Sequence, residues 1–351
     1  LYSLRQAKGE IWTDAPLVDL VREQGRVRGA IVLRGGIRTR ILARHGVVLA
    51  TGGFPRDPEL RDRLAGGFPH RHTMAFEGNT GDGLKAAVAV GAAVDTELVS
   101  PGLWTPASLL KEPDGSESTI IYGYLDRGRP GVIAVDPEGR RFVNESNSYH
   151  DIVMAMYRRG AGKGARFHFV CDRRFVRRHG LGAIRPWPWT PRLKRYADAG
   201  YIVLADTLPE LAERIGIDRN ALVETVRRHN EFARTGVDLD FGKGSTAYNR
   251  IWGDPEAKPN PNLVPIEAAP YVALPIVPAT LGTCAGLKTD GDARVLDAEG
   301  RPIPGLFACG NELASAMRGF YPGGGVTLGP AVVFAYRAVR QAATREADAA
   351  A

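Results

Sequence analysis

Residues 317–334, MRGFYPGGGVTLGPAVVF, restrict how this chain can fold more than any other stretch. A tyrosine, Tyr321, stands just ahead of three consecutive glycines, Gly323 to Gly325, and an apolar run follows them. Glycine lets backbone approach a flat or charged ligand without a Cβ clash. An apolar run behind such a turn reads as a helix, whose first N–H groups and positive dipole end point toward the turn. A phenol beside that turn is placed to hydrogen-bond a ligand carbonyl. The stretch is read as the floor of a pocket for a cofactor and a substrate.

Three other places have the same character. Residues 46–50 (GVVLA) form a continuous apolar run, expected as a strand buried on both faces of a parallel sheet. Ligands of open α/β sheets bind beyond the carboxyl ends of strands, which makes Ala50, Thr51, Gly52 and Gly53 candidate contacts. The loop at 78–83 (GNTGDG) supplies Asn79, Thr80, Gly81, Asp82 and Gly83 ahead of an Ala-rich helix at 84–93. Residues 305–309 (GLFAC) lead into Gly310, Asn311 and Glu312, and Val326, Thr327 and Leu328 open the last helix. Plainer readings stand beside these. Gly52 and Gly53 can merely end a strand, Asp82 can merely favour a helix start, and Glu312 can sit in a salt bridge.

With 351 residues, two domains are the expectation. A hydrophobic share of 44% is enough for a large core. The net charge of +7 suits an anionic ligand or surface. No basic helix is interleaved with stacking aromatics, so nucleic acid is not an expected partner. Cys171, Cys284 and Cys309 form no CxxC pair, which argues against a zinc site, and no metal site is expected. Their low number fits a reducing, cytoplasmic location, with peripheral membrane contact as a second option. No apolar run is long enough to span a bilayer. No signal peptide is visible, and the chain starts at Leu1 rather than Met.

Residues 11–43 read as short strands, with a hairpin turn at Gly35-Gly36. From about Pro101 the composition changes, and prolines and tryptophans accumulate. A hairpin is expected at 131–143 around Pro137-Glu138-Gly139, with helices at 152–158, 207–215 and 219–234 and a polar loop at 242–262. The basic cluster from Arg173 to Arg178 reads as a solvated face.

Residues 47–54 (VVLATGGF), 78–83 (GNTGDG), 139–146 (GRRFVNES), 281–290 (LGTCAGLKTD), 305–315 (GLFACGNELAS) and 321–331 (YPGGGVTLGPA) resemble the flavoprotein family of fumarate reductases and 3-ketosteroid dehydrogenases. The likeness runs over nearly the whole chain and is nearest to the 3-ketosteroid Δ1-dehydrogenases. It implies an α/β fold with a discontinuous FAD-binding domain, Rossmann-like and of the glutathione-reductase type. Residues 1–105 and 272–351 would form that domain, and an inserted α+β substrate domain would occupy 106–271. It further implies FAD as cofactor and a small apolar ketone or steroid as substrate, with an unknown electron acceptor. Tyr149, in NESNSY, would take the proton beside the ketone. Tyr321 and the Gly325 N–H would hold the carbonyl oxygen, and hydride would pass to flavin N5.

The chain departs from the family pattern at the glycine turn, which lacks a second proline, and at Ser148, where proline is usual. The family's N-terminal GxGxxG is absent, which implies that the chain begins downstream of it. A free tyrosine has a pKa of about 10 and needs nearby positive charge or donors to serve as a base. Fumarate reductases place histidine and arginine against dicarboxylates. This chain has Ala279-Thr280-Leu281-Gly282-Thr283 at that stretch, which suits an apolar ketone. Leu103, Trp104, Met154 and Met156 are either apolar walls or core. His150 is expected to pack or face solvent. Reduction of another enone, and a non-catalytic fragment without flavin, stay open as alternatives.

Overall fold

In the computed structural model, residues 2–121, 127–189 and 192–349 are described. Helix α1 (Tyr2–Gln6) precedes strands β1 (Leu17–Glu23), β2 (Arg26–Arg34), β3 (Ile37–Leu42) and β4 (Val47–Leu49). Helix α2 (Pro58–Leu64), β5 (His72–Thr73), α3 (Asp82–Ala89) and β6 (Val94–Asp95) follow. The middle of the chain begins with β7 (Gly102–Lys111), β8 (Glu117–Ile121), β9 (Val132–Val135), α4 (Tyr149–Arg158), β10 (Phe167–Asp172), α5 (Arg173–His179) and α6 (Leu193–Asp198). It continues through β11 (Val203–Ala205), α7 (Leu208–Ile215), α8 (Arg219–Thr235) and α9 (Ala247–Ile251). The chain closes with β12 (Tyr271–Thr283), β13 (Gly286–Leu287), β14 (Arg294–Leu296), β15 (Pro302–Ala308) and α10 (Leu328–Ala349).

Strands β1, β2 and β3 make an antiparallel sheet that turns at Gly35-Gly36. The apolar run expected as a parallel strand is β4, which pairs in parallel with β15, but it is not buried on both faces, because Val48 is exposed. The largest sheet has the order β8-β7-β12-β10-β9, with β5 and β11 also paired to β12. Strand β7 crosses the expected division at 105/106, and β12 opens at the one at 271/272. These two strands join the lobes as one ladder.

The cores cross both expected divisions, since Trp104 and Leu274 pack with the middle of the chain. One packs Leu49, Phe54, Leu60 and Leu84 from the first part of the chain against Leu287, Val295, Ile303 and Leu306 from the last. Two others draw on the middle, with Phe167, Phe169, Met156 and Leu274 in one and Ile133, Leu211, Leu222 and Ile266 in the next. Burial of such side chains contributes roughly 1.5–3 kcal/mol each.

Local differences from the sequence reading have local causes. Helix α4 starts at Tyr149 rather than 152, because the Ser148 hydroxyl caps it by accepting from the His150 N–H. The polar loop at 242–262 contains α9, which Thr246 caps through the Asn249 N–H. The second arm of the hairpin after β9 is reduced to one bridge, Val135 to Arg141. Among the described residues no helix is long and apolar enough to cross a membrane.

Candidate functional site

Three glycine-bearing loops meet where β4 and β15 end. The loop after β4 carries Ala50, Thr51, Gly52 and Gly53. The Thr51 hydroxyl donates to a Glu312 carboxylate oxygen, and the Gly53 N–H donates to the same oxygen at 3.2 Å. The 79–83 loop joins them through the Gly81 N–H, which donates to the Gly53 carbonyl at 3.1 Å. At Gly83 a Cβ would lie 2.7 Å from the other Glu312 oxygen, so only glycine lets α3 start this close. Asp82 is the first residue of α3 and accepts from the Thr80 hydroxyl at 2.9 Å. Ala50 lies exposed just past β4, beside the Leu49 carbonyl that accepts the Cys309 N–H.

The third loop, Gly310–Glu312, is a single 3-10 turn. Gly310 and Asn311 line a recess with Thr283, Leu103, Val326 and Thr327, which brings the start of α10 to the same place. Leu328, the first residue of α10, is exposed. Glu312 is fully buried, and its second carboxylate oxygen has no hydrogen-bond partner among the described residues. Burial pushes its carboxyl above the ordinary value of 4.5, against the hydrogen bonds from Thr51 and Gly53. The salt-bridge reading of Glu312 does not hold, since its partners are a hydroxyl and an amide.

The two tyrosines lie together. Tyr149 opens α4 and Tyr321 precedes the glycine turn. Their rings are 5.0 Å apart and tilted by 50°, in one buried cluster with Leu103 and Cys284. Three consecutive residues hold this contact. The Ser148 hydroxyl donates to the Tyr321 carbonyl at 2.5 Å, the Tyr149 ring packs on Tyr321, and the His150 ring stacks over it at 6.1 Å. His150 is a buried packing residue whose Nδ1 accepts from the Trp104 N–H at 3.3 Å. Burial lowers its pKa to about 4, so the ring is neutral. Trp104 and Met156 belong to the large core, Met154 packs against it, and Leu103 touches the tyrosine pair.

Gly325 has φ +93° and open space on its Cβ side, and its N–H donates to no backbone acceptor among the described residues. The exposed turn thus leaves that donor open to solvent or to a ligand.

A guanidinium that the sequence reading did not single out lies beside the pair. Arg127 is 2% exposed, and its guanidinium carbon is 5.4 Å from the centre of the Tyr149 ring. It donates to the Glu145 carbonyl at 2.8 Å and to the Asn147 carbonyl. The NES phrase explains why the backbone waits there. Glu145 is held by Arg141, by Lys243 at 3.2 Å and by the Ala134 N–H. Asn144 donates to Asn249, Asn249 donates to Asn147, and Ser146 donates to the Gly128 carbonyl. This network fixes the entry to α4 and with it Tyr149.

The residues fit a bound flavin nucleotide on one structural ground. A buried carboxylate oxygen of Glu312, without a protein donor, faces the junction of the three glycine loops. A ligand donor at that junction would satisfy it.

Residues 1–328 match the model of the FAD binding domain family. The chain is 41% identical over 341 residues to the 4-oxocyclohex-2-ene-1-carboxylate 5-dehydrogenase of Sinomonas cyclohexanicum, across 95% of this chain and 56% of that protein. It is 37% identical over 348 residues to the 3-oxosteroid 1-dehydrogenase of Mycolicibacterium smegmatis, across 95% of this chain and 59% of that protein. Its fold is similar to a crystal structure of 3-ketosteroid Δ1-dehydrogenase from Sterolibacterium denitrificans in complex with 1,4-androstadiene-3,17-dione. The TM-score is 0.88 at 35% identity, covering 98% of this chain and 62% of that one. The chain thus spans less than two thirds of the length of these relatives.

Proposed function

The chain belongs to the FAD binding domain family, and from that premise we propose that it is an FAD-dependent dehydrogenase of cyclic ketones. The observation that carries this reading is the tyrosine pair, two buried phenol rings 5.0 Å apart, next to a glycine turn with a free N–H. Bound FAD supplies the acceptor for the hydride that leaves the ketone's β-carbon. Thr51, Gly52, Gly53, the 79–83 loop, Gly310, Asn311, Glu312 and residues 326–328 hold that cofactor. The two parts 1–105 and 272–351 form its discontinuous, Rossmann-like domain of the glutathione-reductase type, and 106–271 forms the substrate domain. The shared core of Leu49, Leu84, Leu287 and Leu306 supports that division.

Tyr149 takes the proton from the carbon beside the ketone. The Arg127 guanidinium beside its ring is the nearby positive charge that a phenol acting as a base calls for. Tyr321 and the Gly325 N–H hold the ketone oxygen as negative charge gathers on it. His150 stays neutral and steadies the Tyr321 ring. The substrate class is a six-membered cyclic ketone, either the 3-oxo ring of a steroid or a smaller oxocyclohexene. Both substrates appear in the names of the relatives. The location we propose is cytoplasmic, with peripheral contact with a membrane as the second option.

The test is direct. The chain is purified with added FAD, and its absorbance spectrum is recorded. Turnover is then measured with a dye acceptor on a 3-ketosteroid and on 4-oxocyclohex-2-ene-1-carboxylate. Flavin retention with 1,2-dehydrogenation of either ketone is expected. Flavin retention with reduction of enones alone would assign the reverse reaction, and a colourless, inactive protein would remove the reading.

A further inference from the structure

Helix α5 carries four arginines, two of them paired. Arg174 pairs with Asp172 at 2.8 Å, and Arg178 pairs with Asp254 and Glu256, both at 2.5 Å. Arg173 and Arg177, also four residues apart, are exposed and make no ion pair among the described residues. They line a recess of about 530 Å³ with the paired Arg174 and with Val176, Trp187 and Leu193. Arg177 lies over the Trp187 ring, 5.5 Å from its centre, and the Trp187 N–H donates to the Arg177 carbonyl at 2.8 Å. The recess is therefore built by tertiary contacts. Trp187 is 62% exposed and Trp189 69% exposed. Their exposed neighbours in sequence are Arg185, Arg192 and Arg195, again without an ion pair among the described residues. Exposed arginines elsewhere fall in both groups: Arg214, Arg227, Arg228 and Arg234 have carboxylate partners, and Arg38 and Arg63 have none among the described residues, but neither of those two has an exposed tryptophan pair beside it.

We propose that this arginine and tryptophan face docks the protein on an anionic membrane surface. Exposed indoles favour the headgroup layer, where an apolar ring and a polar N–H are both satisfied. Unpaired arginines are drawn to anionic headgroups. The recess sets the half-buried Leu193 beside guanidinium groups, over a floor formed by the fully buried Val176, which matches a lipid that carries hydrocarbon next to phosphate. Nucleic acid offers no such hydrocarbon. The proposal deepens the reading of peripheral membrane contact, and it would bring the protein to the layer into which apolar ketones partition.

The full chain is mixed with vesicles of phosphatidylcholine alone, or with about a third phosphatidylglycerol, at low and at physiological salt. Sedimentation with the anionic vesicles only, weakening with salt, is expected. Arg173→Glu/Arg177→Glu is expected to lower the partition coefficient by more than about tenfold. Trp187→Ser/Trp189→Ser is expected to abolish quenching of tryptophan fluorescence by brominated lipid. Arg38→Glu/Arg40→Glu, the same charge change on β3, is expected to bind nearly as the parent does. An absence of binding, or equal loss in the β3 variant, would overturn the proposal. Retention of DNA in place of vesicles would also overturn it. Turnover on the water-soluble oxocyclohexene acid, assayed without vesicles, is expected to be unchanged in all variants. That separates failure of this proposal from failure of the catalytic one.

Discussion

The Ser148 hydroxyl donates to the Tyr321 carbonyl at 2.5 Å and accepts from the His150 N–H at 3.3 Å. One side chain thus caps the helix that presents Tyr149 and ties down the loop that presents Tyr321. Ser148→Ala removes both roles. A stability loss of about 1 kcal/mol is expected in denaturant unfolding. The fall in kcat is expected to exceed any rise in KM, because the groups that lose alignment act on the transition state.

On the proposed mechanism, Tyr321→Phe removes a donor to the ketone oxygen and leaves the ring packing intact. Turnover is expected to fall about 10²–10³-fold, with the bound flavin unchanged by absorbance. Matching losses of activity and flavin would make Tyr321 a structural residue. Tyr149→Phe is expected to abolish exchange of the proton beside the ketone with solvent deuterium.

Arg127→Gln tests the charge over Tyr149. A cation favours the phenolate, so its loss raises the pH at which Tyr149 gives up its proton. The acidic limb of the kcat/KM profile is expected to move to higher pH, while flavin content stays constant. Of the other titratable groups nearby, only Asp151 responds to the same change. His150 has its pKa lowered to about 4 and the Cys284 thiol is pushed up to about 12, while burial raises the Asp151 carboxyl against the pull of Arg127, so Asp151→Asn in the same background removes its share of any shift. A profile that does not move would show that Arg127 only braces the loop.

Glu312 gives a pH signature without any substrate. Burial raises its folded pKa above 4.5. Below pH 4.5 both the folded and unfolded states hold the proton, and nothing is lost. As pH rises past 4.5 the unfolded state ionises first, and stability falls until the folded carboxyl also ionises. Glu312→Gln is therefore expected to be neutral in melting temperature near pH 4 and stabilising near pH 8. Destabilisation at pH 8 would mean that the carboxylate is fully satisfied as an anion.

Glu145 behaves in the opposite sense. Burial opposes its charge, yet Arg141 and Lys243 outweigh that and hold its pKa down to about 2. Its stabilisation is present above pH 4.5 and is lost as pH falls toward 2. Glu145→Ala strands two buried cations, and a loss of about 3–5 kcal/mol is expected above pH 4.5, narrowing in acid. Urea titrations at pH 7 and pH 3 would measure both numbers.

The glycine loops were legible because glycine before a helix has few meanings. The regions near Gly53, Gly83 and Gly310 do converge, on Glu312 and on the start of α10. The tyrosine pair was legible only through family phrases, since Tyr149 and Tyr321 are far apart in the chain. Arg127 was not legible. It sits in a loop without a repeat or spacing, and its meaning comes from a ring 22 positions later. Helix α9 escaped because five residues leave too little periodicity, and its evidence is a cap from Thr246. The paired and unpaired arginines of α5 were read as one solvated face, because the partners Asp254 and Glu256 lie far along the chain.

The polar lattice behind the NES phrase reaches from Asn144 to Phe241 and Asn249, about a hundred positions away. A mutational screen scored on turnover would therefore flag 241–249 as if those residues met the ketone. Error in placing the base would be inherited from that remote corner, so drift there would be policed as strictly as in the pocket itself.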